Sequence, residues 1–241
     1  HLRPRRQRQM CIRDRHITWL LDWSDRNTAV LFGDGAGAVV IEESKSESDG
    51  EIYSFSNGLS SDNLEILEIP NFGSSMDRFK TDEAARVRWT FDGQEIFKSG
   101  VRAMAQASAE AIEKSGLSKE DVEIFIPHQA NIRIVEALEK KLGLPNATTI
   151  KKVHRYGNTS AASIPTAFVD ALEEGEIKGG EIAVFTAVGA GLAWGACAVR
   201  LGDRVTPINK SDAKLPDFDG TATDTIKKAI EYQVPDKLDK I

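Results

Sequence analysis

The chain has 241 residues, 41% of them hydrophobic and 28% charged, enough for one large domain or two modest ones with a buried core. Its formal charge of −6 is uneven: residues 1–15 hold six arginines against one aspartate and leave the remainder near −11, which argues against nucleic acid as a general partner. Two cysteines, Cys11 and Cys197, give neither a disulfide framework nor a zinc-type spacing, no apolar run is long enough for a membrane span, and a reducing cytoplasm is the expected compartment.

Residues 1–15, HLRPRRQRQMCIRDR, show almost no hydrophobic periodicity and lack the apolar stretch of a signal peptide. The segment reads as a disordered basic tail or, more pointedly, as non-native translated sequence joined to a shortened gene, so Cys11 is not promoted to a nucleophile. Patterned α/β sequence starts near His16. NTAVLFGDGAGAVVIEES (27–44) predicts a strand, a glycine-rich bend and a second strand. Residues 50–92 are polar and irregular, with a short strand at 64–69 and extended chain near 87–92. From Gln94 to Ser115 the residues Ile96, Phe97, Val101, Met104, Ala105, Ala109 and Ile112 recur at helical spacing, and Gly116 ends the helix. Ser118 caps a short turn. A strand at 122–126, a helix at 131–142 stopped by Gly143 and Pro145, a strand at 148–154 and a helix running to about Glu174 follow. EIAVFTAVGAGLAWGACAVRL (181–201) predicts two strands around another glycine-rich bend. Residues 203–241 turn polar and read as a peripheral tail with a helix at 221–232.

AVLFGDGAG (29–37) and AVFTAVGAG (183–191) agree at five of nine positions, each an apolar strand entering a Gly-x-Gly bend. The order of elements suggests two related α/β halves, the first mostly missing. The bends do not have the G-x-G-x-x-G spacing and lead into β-branched strand, so dinucleotide binding is set aside.

VEIFIPHQAN (122–131) places His128 where a buried strand ends and a helix begins, the edge of an α/β sheet at which functional groups gather. A hydrogen-bonded loop histidine fits the same pattern. His154 could join His128 on a metal, but no Cys, Asp or Glu stands at ligand spacing. Asn158, in a tight loop of small residues, serves equally as a turn or N-cap residue or as a placed carboxamide. His128 and Asn158 follow strands expected to be neighbours. Both can donate to one oxygen, as an oxyanion hole requires. Arg133, Lys140 and Lys141, with Lys151, Lys152 and Arg155 nearby, form a basic patch that is either a solvated face or a docking surface.

FGDGAGAVV (32–40), IPHQANIRI (126–134), HRYGNTSAASIPTA (154–167) and AVGAGLAWGACAVRL (187–201) closely resemble the β-ketoacyl-acyl carrier protein synthase III family, over about residues 18–202. The resemblance implies a thiolase-like layered αβαβα fold: a remnant of the first half and its loops at 16–92, a complete C-terminal half at 93–202. It implies decarboxylative condensation of an acyl-coenzyme A-derived group with malonyl-acyl carrier protein, in a homodimer, with no cofactor beyond the coenzyme A thioester used as substrate. His128 and Asn158 match two members of the family's Cys-His-Asn triad. The third, in an Ala-Cys-x-Gly setting, has no counterpart here, and Cys197 falls in the last strand. Arg26 in DWSDRNT matches an arginine at the coenzyme A adenine. Gly93, Gln94 and Phe97 in DGQEIF, with Ala130 and Asn131, match the pantetheine tunnel. Gly189 and Gly191 match the wall beside the active site, and Val188 replaces a frequent phenylalanine. Arg133, Lys140 and Lys141 are implied to dock the acidic carrier protein. The readings that compete are another acyl-joining synthase of the superfamily and a non-catalytic thioester-binding domain.

Overall fold

The computed structural model describes residues 9–23, 25–62, 64–69 and 89–206, with single residues and short stretches between 212 and 231. In chain order these are β1 (Gln9–Arg15), α1 (Arg26–Ala29), β2 (Gly35–Ile41), β3 (Glu51–Leu59), β4 (Leu67–Glu68), β5 (Thr90–Phe91), α2 (Gly93–Lys114), β6 (Ile124–Pro127), α3 (Ile132–Leu142), β7 (Thr148–Thr149), α4 (Val153–Tyr156), α5 (Ser163–Glu173), β8 (Ile182–Gly189) and β9 (Ala193–Arg200).

Local chemistry accounts for the long helices. The Asp92 carboxylate accepts from the backbone N–H groups of Gln94 and Glu95 and starts α2, and Gly116 at φ 73° ends its run. Val101, Met104, Ala105, Ser108, Ala111 and Ile112 line the buried face of α2 at the helical repeat. Asn131 caps α3 through Ile134 N, and Gly143 in the left-handed region closes it. Strand β6 is buried at all four positions because it lies between parallel neighbours and under helices on both faces. Removing Ile124, Phe125 and Ile126 from water contributes about 1.5–3 kcal/mol for each side chain.

The main sheet has the order β3-β9-β8-β6-β7, parallel around β6 and antiparallel from β8 to β3. α2 and α3 cover one face through Met104, Ile134, Leu138 and Phe125. α5 covers the other through Ala167, Ala171, Ile124, Ile126 and Ile177. Beyond α5 lies the β1–β2 pair, so helix, sheet, helix and sheet succeed one another. Gly37 makes the last contact possible: a Cβ there would stand 2.6 Å from the Pro165 ring. No helix among the described residues is long and apolar enough to cross a membrane.

Four expectations change. The segment 1–15 is not wholly irregular, since Gln9–Arg15 pairs antiparallel with β2 along its length; a backbone ladder asks for extended chain rather than for a particular side-chain pattern. Residues 1–8 lie outside the described residues. The strand expected before Gly33 is instead the short helix α1, begun by Asp25 accepting from Asn27 N, and only Phe32 makes a bridge. Residues 51–59, expected to be irregular, form β3, which belongs to the main sheet and so crosses the boundary drawn at residue 93. The strand expected at 148–154 shortens to β7, and Val153–Tyr156 is helical, so His154 stands exposed on α4. The helix expected at 221–232 falls largely outside the described residues.

Candidate active site

His128 follows the last residue of β6. Its backbone N–H donates to Thr186 O at 2.7 Å, carrying the β6–β8 pairing one residue past the strand. Its ring is buried, and Nδ1 lies 2.6 Å from Ser163 Oγ at the start of α5. Burial alone pulls its pKa down from 6.5 to about 4, so the ring is neutral at pH 7. Among the described residues nothing hydrogen-bonds Nε2.

Gln129 holds this strand end in place. Its side-chain N–H groups donate to Pro127 O at 2.7 Å and Ile150 O at 3.1 Å, and its Oε1 accepts from Lys152 N at 2.8 Å. All three bonds are buried, and they tie the ends of β6 and β7 to the turn before α4. The motif around His128 was legible in the sequence. The roles of Gln129 and Ser163 were not, because both depend on contacts 21–35 residues away.

Asn158 is reached differently. Its N–H donates to Leu31 O at 2.8 Å, its carbonyl accepts from Gly33 N at 3.0 Å, and its side-chain Oδ1 accepts from Ser160 N at 2.9 Å. The carbonyl side of the amide is therefore occupied, and Nδ2 has no partner among the described residues. Gly157 permits the turn: it sits at φ 67°, and a Cβ would meet Leu31 O at 2.9 Å. The strand that was to deliver Asn158 ends at Thr149, well before it. The loop is fixed by Phe32 on one side, and on the other it runs directly into Ser163, which touches His128.

Phe32 also connects this loop to the matches on α2. Its ring lies 5.0 Å from Trp89 and 6.0 Å from Phe91, and Phe91 packs beside Gly93. Gly93 and Gln94 are exposed in the first turn of α2, while Phe97 and Ala130 pack against one core cluster. Asn131 spends its side-chain oxygen on capping α3. Arg26 is exposed at the start of α1. Gly189 ends β8 on the edge where His128 leaves β6, and Gly191 lies in the bend that follows, at φ 141°. Val188 packs at the margin of the same core cluster as Phe97.

The basic patch divides in two. Lys151 pairs with Glu139 at 2.7 Å, Lys152 with Glu174 and Glu176 at 2.6 and 2.8 Å, and Arg155 with Asp170 and Glu174 at 3.1 and 2.9 Å. These three cations are neutralised within the fold and leave the docking set. Arg133, Lys140 and Lys141 are exposed on α3 and have no ion pair among the described residues. Cys197 is mostly buried in β9, and burial pushes its thiol up to about 11, the opposite of an activated nucleophile. Among the described residues no group of three or more His, Cys, Asp and Glu side chains is placed to hold a metal ion.

A mixed sheet between two helical layers, a second sheet beyond α5, and His128 joined through Ser163 to the Asn158 loop define a protein of the thiolase fold. Within that class the chain belongs to the 3-oxoacyl-[acyl-carrier-protein (ACP)] synthase III family. It matches that family over residues 5–60 and its C-terminal domain over residues 112–201. It is 47% identical over 218 residues to the β-ketoacyl-[acyl-carrier-protein] synthase III 2 of Vibrio cholerae, covering 90% of this chain and 59% of that protein. The crystal structure of 3-oxoacyl-[acyl-carrier-protein] synthase III from Aquifex aeolicus superposes with a TM-score of 0.68 at 38% identity, covering 79% of this chain and 57% of that one. The priming β-ketosynthase of a polyketide biosynthetic pathway superposes at 0.73 with 32% identity, covering 81% and 57%. The chain thus spans rather more than half the length of the relatives it matches.

Proposed function

We propose that this chain carries the enolate-stabilising part of a β-ketoacyl-acyl carrier protein synthase III, the acyltransferase that starts fatty-acid synthesis by decarboxylative condensation. One observation carries the reading: among the described residues His128 Nε2 and Asn158 Nδ2 have no hydrogen-bond partner, while His128 Nδ1 and Asn158 Oδ1 are held by Ser163 and Ser160. A malonyl thioester accepts both hydrogen bonds at its thioester oxygen. The bond to the carboxylate breaks, its electron pair moves into the enolate, and carbon dioxide leaves. Two neutral donors fixed in place stabilise the developing oxyanion with little reorganisation. In the full condensation the enolate carbon attacks an acyl group held on a cysteine, expels that thiolate and gives the β-ketoacyl thioester. No Ala-Cys-x-Gly stands in these 241 residues, so the enolate formed here takes a proton from water and gives an acetyl thioester.

The substrates of this reading are an acyl-coenzyme A and malonyl-acyl carrier protein, with no cofactor besides the thioester itself. Arg26, Gly93, Gln94, Phe97, Ala130 and Asn131 would line the coenzyme A and pantetheine path, with Gly189 and Gly191 beside the reacting carbon. The setting is cytoplasmic and the assembly a homodimer.

Carbon dioxide release from malonyl-coenzyme A by the 241-residue chain tests the core of the reading. His128→Ala and Asn158→Ala should each lower the rate by about 100-fold, the loss of one oxyanion donor. Rates unchanged in both variants would overturn it. The docking surface is tested separately. Arg133→Glu should weaken turnover of malonyl-acyl carrier protein about ten-fold more than turnover of malonyl-coenzyme A, and the gap should close at high salt. Equal loss on both substrates would remove α3 from the docking site.

A further inference from the structure

The resemblance implies no role for Ser163, yet its hydroxyl is the sole side-chain partner of His128 among the described residues. The hydroxyl oxygen has one proton to give and two lone pairs to fill. The backbone N–H of Gln129 donates to that oxygen at 3.3 Å, and a backbone N–H can only donate. The remaining hydrogen bond of Oγ is the 2.6 Å contact with His128 Nδ1. If Nδ1 carried a proton and donated it, Oγ would accept twice. Its own proton would then be buried with no acceptor among the described residues, and Ser163 is only 2% exposed. Satisfaction of every group leaves one arrangement: Oγ accepts from Gln129 N and donates to Nδ1.

We infer that Ser163 is a positioning residue that donates its hydroxyl proton to His128 Nδ1 and so keeps the neutral imidazole in the form with its proton on Nε2. Without it Nδ1 has no donor, and both neutral forms of the ring populate. The form protonated on Nδ1 presents a lone pair at Nε2, which repels an enolate oxygen instead of binding it. Ser163 also spans the two halves of the site, since it begins α5 directly after the loop that holds Asn158. The consequence for rate rests on the condensing reading above; the assignment of the proton does not.

The test uses the 241-residue chain labelled with ¹⁵N-histidine and two-bond ¹H–¹⁵N spectra of its four histidines, with His128 identified by the signals lost in His128→Asn. Wild-type His128 should show a proton-bearing Nε2 and a bare Nδ1. Ser163→Ala should mix the two forms, and Ser163→Thr, which retains a hydroxyl, should restore the first. Carbon dioxide release from malonyl-coenzyme A should fall about ten-fold in kcat for Ser163→Ala, with KM within about two-fold, and recover in Ser163→Thr. A proton on Nδ1 in the wild type overturns the assignment, and this spectrum decides it even if Ser163→Ala fails to fold. An unchanged Nε2-protonated ring in a folded Ser163→Ala overturns it too. If the spectra behave as expected and the wild type releases no carbon dioxide, the assignment of Ser163 stands and the condensing reading falls.

Discussion

Two polar clusters meet at Lys152 and are built on opposite terms. The inner one, His128, Gln129 and Ser163, is dry: its groups are neutral, and each hydrogen bond joins atoms with no water to replace a lost partner. The outer one joins Lys151, Lys152 and Arg155 to Glu139, Glu174, Glu176 and Asp170, and the three glutamates are 38–44% exposed. The backbone N–H of Lys152 belongs to the first cluster and its ammonium to the second. In the dry cluster an unmade hydrogen bond costs about 1–3 kcal/mol, so geometry and protonation state are fixed together. In the outer belt water can take either partner's place, so the same number of contacts constrains much less.

The sharpest way to break this contrast is to force a charge into the dry cluster. The folded-state pKa of His128 is lowered, from 6.5 to about 4. The unfolded chain therefore binds a proton in this window that the folded chain refuses, and stability falls as pH falls from about 6.5 toward 4. The full loss is on the order of 3 kcal/mol. Glu174 and Glu139 also lose stability as pH falls, but in a lower window. The Lys152 and Lys151 hydrogen bonds hold their carboxyls below 4.5, so their stabilisation is lost only as pH drops through those lowered values. Denaturant midpoints measured from pH 7 down to 5 should slope for the wild type and flatten for His128→Gln. Parallel slopes would mean that the ring is hydrated and the cluster is not dry.

A smaller effect probes the same cluster without charge. Gln129→Leu keeps the bulk of the side chain but removes the partners of Pro127 O, Ile150 O and Lys152 N. The expected cost is about 2 kcal/mol, read as a shift in denaturant midpoint with an unchanged slope. A cost under about 0.5 kcal/mol would put Gln129 in the same class as a surface residue.

The long elements of this fold were legible because their determinants are local. α2 and α3 carry an apolar stripe at the helical repeat, a capping Asp92 or Asn131 and a closing glycine. β6, β8 and β9 are short apolar runs between turns. β3 was missed because its alternation is inverted. Tyr53, Phe55 and Leu59 are exposed, while the small polar Ser54 and Ser56 face α2 and bond to Ala111 O and Glu110. α1 was legible in principle, since Asp25 is a good N-cap, but the apolar run after it suggested a strand. In the site, His128 and Asn158 were found as residue types in motifs. The bridge from Phe32 to Asn158 and the Ser163 contact join segments far apart in sequence, and no local pattern encodes them.

Adjacent lysines supply the finest test of the contrast, because Lys151 and Lys152 differ in surroundings more than in number of partners. The Lys152 side chain is 7% exposed and holds two carboxylates. Burial pulls its pKa down, but the hydrogen bonds to Glu174 and Glu176 outweigh that and leave it above 10.5. Lys152→Ala removes the buried stem as well as the charge and should cost about 1–2 kcal/mol at low salt. Lys151 is 34% exposed and meets Glu139, itself 43% exposed, so both ends rehydrate when the pair opens. Lys151→Ala should shift the midpoint by less than about 0.5 kcal/mol, and less again in high salt. A Lys151 effect as large as that of Lys152 would show that Coulomb attraction, and not exclusion of water, sets the strength of this junction, and the division into a dry core and a wet belt would fail at its boundary.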